Sequence, residues 1–162
     1  MNTVSVPVLV VGAGPVGLIA ARLLGNGGCP SMVVERRDGP QRNPAAHVVN
    51  ARTLEILRQA GFDMAAITAI AQDPRDAGHV NFVTRLNGEL IGRLPFERQG
   101  DEILAVTPHP LRNISQHRLE PLMARVVGEM PEVDLRYDHE WVSVTVTDEC
   151  VVSLVQIGRA HV

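Results

Sequence analysis

The first thirty-five residues contain an apolar strand, a glycine turn, a helix and a second apolar strand in direct succession. Gly12, Gly14 and Gly17 have the spacing G-x-G-x-x-G and follow an apolar run that begins at Val6. A helix-forming stretch comes next, and a second apolar run ends at Glu35. This order indicates a βαβ unit, and it constrains the fold of the chain more than any other feature.

Each residue type in this segment suits the binding of a dinucleotide. Gly12 permits a sharp turn, the bare backbone of Gly14 allows a pyrophosphate to come close, and Gly17 lets the helix pack tightly on the strand. Pro15 fits the first helical turn, where an N–H would have no intrahelical acceptor. The free N–H groups of that turn, including Val16, and the positive end of the helix dipole favour a diphosphate.

The acidic residue at the end of the second strand completes the motif. Glu35 follows Gly17 by eighteen residues, close to the roughly 20-residue offset expected of a carboxylate that binds the ribose. A carboxylate at this position favours a free ribose diol. It disfavours a 2′-phosphate, even though two cationic residues, Arg36 and Arg37, follow directly. A glycine triplet alone is a weak signal, but here the strand, the helix and the acid all stand in the required places.

Composition describes an ordinary globular chain. The chain has 162 residues, 45% hydrophobic and 20% charged, with a formal net charge of −3. This favours one core, or one domain with part of another, and gives no indication of a nucleic-acid surface. The N-terminal apolar run breaks at Gly12, too short to span a bilayer, so the default expectation is a cytoplasmic protein without a membrane span. Cys29, Cys150 and six histidines lack metal-ligand spacing, and no metal site is expected.

Turn residues and hydrophobic periodicity divide the rest of the chain. Helices are predicted over 50–61, with Asn50 as N-cap, over 62–71, and from about Ser115 to Gly128 with Leu119, Leu122 and Val126 on the buried face. Hairpins are predicted over 79–96, around the turn signal Asn87-Gly88, and over 141–155. Arg52 falls in the first turn of its helix, where the dipole disfavours a cation, so a nearby anion is expected.

Three stretches together carry a resemblance to a known family. They are Val8 to Arg36, Val48-Val-Asn-Ala-Arg-Thr-Leu-Glu-Ile-Leu-Arg-Gln-Ala-Gly61, and Ile114-Ser-Gln-His-Arg-Leu-Glu-Pro-Leu122. In this order and spacing the chain resembles the FAD-dependent aromatic hydroxylases, the single-component flavoprotein monooxygenases of the para-hydroxybenzoate and phenol hydroxylase type.

The resemblance implies a cofactor and a set of contacts. The glycine turn (Gly12, Gly14, Pro15, Val16, Gly17) would hold the FAD pyrophosphate, and Glu35 would bind the adenosine ribose. Arg52 and Gln116 would also contact FAD, and Arg36 would lie along the adenine side. NADPH or NADH would reduce the flavin transiently, and oxygen would then hydroxylate a small aromatic or polyketide-like substrate. Because the cofactor carries this chemistry, no residue of this chain is expected to be catalytic.

The resemblance also implies how the chain is organised. The expected fold is a Rossmann-like FAD-binding α/β fold of the glutathione-reductase-like type, with an inserted β-rich segment and a truncated C-terminus. The expected divisions are 1–75, the first part of the FAD-binding domain; 76–105, the start of a substrate-domain hairpin insertion; 106–156, the second part of the FAD-binding domain; and 157–162, a non-native tail. That tail resembles the in-frame translation of a sequencing-library adapter. A fragment of this kind is expected to be inactive alone and to bind FAD weakly.

Two alternatives to the hydroxylase interpretation remain open at this point. One is a different FAD or NAD oxidoreductase, such as an amine oxidase or a dehydrogenase, that shares only the dinucleotide motif. The other is a nucleotide-binding protein or fragment without catalysis. The helices that carry Arg52 and Gln116 argue against the first, and the intact set of glycines with Glu35 argues against the second.

Overall fold

The structure is a computed structural model that describes residues 3–96 and 99–158. The chain divides into two compact units. The first comprises Met1–Asn43 and Leu119–Val162, and the second comprises Pro44–Arg118. Among the described residues, no helix has the length and apolar character needed to cross a membrane.

The first unit is built on a parallel sheet with the strand order β1-β2-β7. The strands are β1 (Val8–Val11), β2 (Ser31–Val34) and β7 (Val133–Arg136). Helix α1 (Pro15–Asn26) connects the first two strands, which confirms the predicted βαβ unit. All four residues of the central strand β2 are buried, which agrees with the apolar run over 32–34.

Helix α4 (Gln116–Gly128) has a different buried face from the predicted one. Leu119 is buried as expected, whereas Leu122 and Val126 are only half-buried. The buried positions are Leu119, Glu120, Met123, Ala124 and Val127. The spacing of apolar residues did not indicate this face, because the face includes the charged residue Glu120. Glu120 is buried together with a cationic partner, described below.

The second hairpin is confirmed in the first unit. It pairs β8 (His139–Val146) with β9 (Val151–Ile157) in an antiparallel register that matches His139 with Ile157. Strand β9 therefore includes Ile157, the first residue of the tail predicted at 157–162. Residues 159–162 of that tail lie outside the described residues.

The second unit contains short helices and two small antiparallel pairs. Its core includes Leu54, Leu57, Ile67 and Ile114. Its elements are β3 (Val48–Val49), α2 (Ala51–Gln59), α3 (Met64–Ala69), β4 (His79–Val83), β5 (Leu90–Pro95), a 3-10 helix (Asp101–Ala105) and β6 (Arg112–Asn113). The pairing of β3 with β6 was not predicted, because two-residue strands are too short to show a period.

Local signals for the helix caps and the first hairpin were largely correct. The Asn50 side chain accepts a hydrogen bond from the Thr53 N–H at 2.8 Å, which confirms it as the N-cap of α2. Strands β4 and β5 form the predicted hairpin. Its turn is not centred on Asn87-Gly88, however, because the Gly88 N–H donates to the Arg85 carbonyl at 2.8 Å and so closes the turn.

Candidate cofactor-binding site

The glycine turn joins β1 to α1 in a conformation that needs glycine at two positions. Gly12 has a φ of +98°, and its N–H donates to the Val34 carbonyl at 2.8 Å. A Cβ placed on Gly17 would overlap the Gly12 carbonyl oxygen, and it would come within 3.3 Å of Val10 Cγ1. The turn is therefore folded back against the start of α1, as the motif requires.

The N-terminus of α1 presents unused hydrogen-bond donors. Gly14 is the N-cap and provides no side-chain cap, Pro15 occupies the first turn, and that turn contains no acidic residue. The N–H groups of Val16 and Gly17 have no acceptor among the described residues. A Cβ on Gly14 would meet no protein atom within 4 Å. Open space beside free donors at a positive helix end suits a phosphate, so this turn fits the pyrophosphate of a dinucleotide.

Glu35 follows β2 directly and ties the glycine turn to the end of the sheet. It is 7% exposed. Its Oε2 atom accepts from the Ala13 N–H at 2.9 Å, and its Oε1 atom accepts from the backbone N–H and from Nε of Arg37, both at 3.0 Å. Burial raises the pKa of Glu35, but these hydrogen bonds outweigh burial and hold the pKa below the usual value of a glutamate. The carboxylate is thus an ionised acceptor at neutral pH.

Arg37 and Glu120 form a buried ion pair that the sequence analysis missed. Arg37 Nη2 donates to Glu120 Oε1 at 2.9 Å, and the Glu120 side chain is 0% exposed. The Gln41 N–H donates to the same oxygen at 2.8 Å. The available sequence signal was a glutamate directly after a buried leucine in α4, within a stretch already noted for its resemblance.

Arg36 lies beside this cluster without joining it. Its side chain is exposed and has no ion-pair or hydrogen-bond partner in the described ranges. Arg37, by contrast, is engaged by two carboxylates, Glu35 and Glu120. Of the two neighbouring arginines, Arg36 is the one with donors available to a ligand.

The structure places Arg52 and Gln116 in the second unit. Arg52 is in the first turn of α2 as predicted, and its Nη1 donates to Glu55 Oε2 at 3.1 Å. Glu55 also accepts from the Thr107 hydroxyl at 2.6 Å; this bond and then the one from Arg52 lower its pKa. Glu55 therefore supplies the anion that the position of Arg52 suggested, and no ligand is needed to explain it.

Gln116 is the first residue of α4, one residue after the predicted helix start at about Ser115. It is half-buried, and its backbone N–H donates to the Ala46 carbonyl at 2.8 Å. The second unit also contains an open cleft of about 600 Å³, lined by His47, Ile70, Gln72, Asn113, Ser115, His117 and Arg118. None of the predicted site residues lines that cleft.

Comparisons with known proteins identify the family of this chain. The profile of the FAD binding domain family matches residues 5–160. Phenol 2-monooxygenase of Pseudomonas sp. is 33% identical over 155 residues, which cover 93% of this chain and 25% of that protein. Aklavinone 12-hydroxylase RdmE of Streptomyces purpurascens is 38% identical over 130 residues, covering 76% of this chain and 24% of that protein.

Solved structures of FAD-containing monooxygenases and hydroxylases are also similar to this chain. The flavin-dependent monooxygenase PieE, in complex with FAD and substrate, superimposes with a TM-score of 0.85 at 34% identity, over 96% of this chain and 27% of that one. A ternary complex of aklavinone-11 hydroxylase with FAD and aklavinone has a TM-score of 0.78 at 28% identity, over 96% and 30%. The chain spans about a quarter of the length of the curated relatives named here. It belongs to the FAD-binding domain family, with a mixed α/β fold shared with flavin-dependent monooxygenases.

Proposed function

We propose that this chain is the FAD-binding portion of an NAD(P)H- and oxygen-dependent monooxygenase that hydroxylates an aromatic or polyketide-like ring. The observation that carries the proposal is the glycine turn, where free donors at the start of α1 stand beside a fixed, ionised Glu35. The named relatives, which are monooxygenases and hydroxylases of phenolic and polyketide compounds, support the reaction class.

In this proposal the first unit holds the adenosine diphosphate half of FAD. Gly12, Gly14 and Gly17 shape the turn, while the N–H groups at Val16 and Gly17, next to Pro15, donate to the pyrophosphate. Glu35 accepts from the adenosine ribose. Arg36, which has no protein partner among the described residues, contributes a cation on the adenine side.

Further parts of the proposal rest on the resemblance to the hydroxylases. Arg52 and Gln116 contact FAD, and the hairpin within 76–105 begins the domain that covers the substrate. Bound FAD supplies the redox chemistry, with NADPH or NADH as a transient reductant. This chain orients the cofactor and supplies no catalytic side chain, so it is inactive without the rest of the protein.

The cofactor assignment predicts a selective effect of Gly14→Ala. A Cβ at Gly14 meets no protein atom, so the variant folds, with a cost of at most about 1 kcal/mol from the poorer N-cap. The same Cβ enters the space proposed for the pyrophosphate, and FAD affinity is expected to fall at least ~10-fold, or 1.4 kcal/mol. Fluorescence titration of FAD measures this, with denaturation curves to establish the folded fraction.

The matched control for Gly14→Ala is Gly92→Ala. A Cβ on Gly92 also meets no atom within 4 Å, but this residue lies in strand β5 of the other unit. We expect Gly92→Ala to leave FAD affinity unchanged. Equal FAD affinity in the unsubstituted chain and the Gly14→Ala variant would contradict the assignment of the pyrophosphate to this turn.

The monooxygenase assignment is tested on the source gene, read onward from the codon for Gln156. The frame is expected to continue to a protein about four times as long, by the 25% coverage of phenol 2-monooxygenase. The purified product should retain FAD and take up oxygen during NAD(P)H oxidation, faster when a phenol is added. A product that holds FAD but shows no oxygen-dependent NAD(P)H oxidation with any aromatic compound would identify a different flavoenzyme.

A further inference from the structure

A continuous series of hydrogen bonds runs from helix α4 to the glycine turn within the first unit. Glu120 accepts from Arg37 at 2.9 Å, and Arg37 donates to Glu35 at 3.0 Å. Glu35 in turn accepts from the Ala13 N–H at 2.9 Å. Arg37 and Glu120 are 83 positions apart in the sequence, and their hydrogen bond links α4 to Glu35, the carboxylate proposed to bind ribose.

Glu120 fixes Arg37 in place. The Glu120 side chain is fully buried, and a buried carboxylate is costly unless a cation and hydrogen bonds accompany it. Arg37 also donates from Nη1 to the Gln41 side chain at 2.9 Å, so its guanidinium is held on three sides. An arginine held in this way presents a rigid fork to Glu35.

The four hydrogen bonds that Glu35 accepts differ in length, and the longest marks where a ligand donor would approach. An ionised carboxylate has about four acceptor positions. Oε1 accepts two hydrogen bonds from Arg37, and Oε2 accepts one from Ala13 at 2.9 Å and a long one from Arg37 Nη2 at 3.4 Å. A single ribose hydroxyl beside the glycine turn would replace or share this long hydrogen bond on Oε2.

We propose that Glu120 and Arg37 are positioning residues, which orient Glu35 so that Oε2 accepts one adenosine ribose hydroxyl. The inference rests on the proposed function and deepens it, because it makes recognition of the ribose depend on a side chain of α4 that does not touch the ligand. The 2′-hydroxyl is the group expected to meet an acid at this place in the motif.

Electrostatic attraction and loss of positioning predict opposite changes in ligand affinity when the charge of Glu120 is removed, so the direction of the change tests the inference. Glu35, Arg37 and Glu120 together carry a net charge of −1. Removing the charge of Glu120 would favour an anionic ligand if electrostatic attraction dominated. Loss of positioning would instead weaken the same ligand.

The test measures binding of ADP and of 2′-deoxy-ADP to the whole chain by calorimetry, with and without Glu120→Gln. In the unsubstituted chain, ADP is expected to bind about 10-fold more tightly than 2′-deoxy-ADP, because one charge-assisted hydrogen bond is lost. In Glu120→Gln, ADP affinity should fall about 10-fold and the ratio should approach 1. A general loss of stability would weaken both ligands alike and preserve the ratio.

Glu129→Gln is the matched control, because Glu129 is exposed directly after α4 and carries the same charge. It should leave both affinities and their ratio unchanged. If Glu120→Gln does not fold, Arg37→Lys gives the same readout, since it keeps the charge and loses the fork. A ratio retained in the folded variant overturns this inference alone. Equal binding of ADP and 2′-deoxy-ADP to the unsubstituted chain overturns the ribose role of Glu35 in the proposed function.

Discussion

Gly17→Ala is expected to destabilise the chain by about 1–2 kcal/mol and to weaken FAD binding at least ~10-fold. The new Cβ would overlap the Gly12 carbonyl oxygen and lie 3.1 Å from the carbonyl carbon, so the backbone of the turn must move. Because the clash is with backbone atoms, the cost of overpacking is expected in the upper part of its usual range, about 2–3 kcal/mol, and the preference of helices for alanine over glycine offsets about 1 kcal/mol of it. The displaced turn carries the proposed pyrophosphate donors, so stability and binding decline together.

Gly25→Ala is the matched control, because it makes the same substitution in the same helix. Its Cβ would overlap the terminal methyl of Met130, which is the end of a flexible side chain that can rotate away. We expect Gly25→Ala to be close to neutral in urea denaturation and in FAD titration. A Gly17→Ala variant as stable as Gly25→Ala would show that the turn does not pack against α1 as described.

The dinucleotide unit could be predicted because its signals are local. The spacing of Gly12, Gly14 and Gly17, the two apolar strands and Glu35 all lie within one βαβ unit, where each residue type has a backbone reason. The N-cap Asn50 and the two hairpins were predictable for the same reason. These features depend on residues close together in the sequence, and the structure confirms the βαβ unit, the N-cap and both hairpins.

The buried cluster could not be predicted because it depends on contacts between distant segments. Arg37 had no predicted role beyond its place after Glu35, and the periodicity of α4 pointed to Leu122 and Val126 as buried positions. The helix is rotated so that Glu120 is buried instead, where Arg37, 83 positions away, and the Gln41 N–H donate hydrogen bonds to it. Arg52 shows the converse, because its apparent need for an anion is met by Glu55 three residues later.

Arg37→Met is expected to lower the free energy of unfolding at pH 7 by about 3 kcal/mol. Removing one partner of a buried ion pair costs about 3–5 kcal/mol, and the low end applies because the Arg37 side chain is 28% exposed. The variant leaves Glu35 and Glu120 side by side without their shared cation. Guanidinium denaturation at constant ionic strength would measure the change.

The pH dependence of this loss follows from the carboxylates. In the unsubstituted chain the folded pKa of Glu35 lies below the usual glutamate value, so its stabilisation is present above that usual value and is lost as the pH falls through the folded pKa. Without Arg37, burial raises the pKa of Glu35, and protonation relieves the repulsion from Glu120. Tyr137 faces the same cluster, but burial raises its pKa and it stays neutral in acid. The difference in the free energy of unfolding between the variant and the unsubstituted chain should therefore be largest near neutral pH and shrink as the pH falls below the usual glutamate pKa.

Arg42→Met separates this effect from the loss of any arginine. Arg42 pairs with Asp38 at 2.9 Å, but the two side chains are 73% and 61% exposed. Such a surface pair contributes about 0–1 kcal/mol, so Arg42→Met should change stability by less than 1 kcal/mol.

The double variant Arg37→Met, Glu120→Gln tests whether the two residues act as a pair. The losses of the two single variants should not add, because the double variant no longer buries a charged carboxylate at position 120 without its cation. Losses that add would mean that Arg37 and Glu120 stabilise the fold independently, and the buried pair would not couple α4 to the glycine turn.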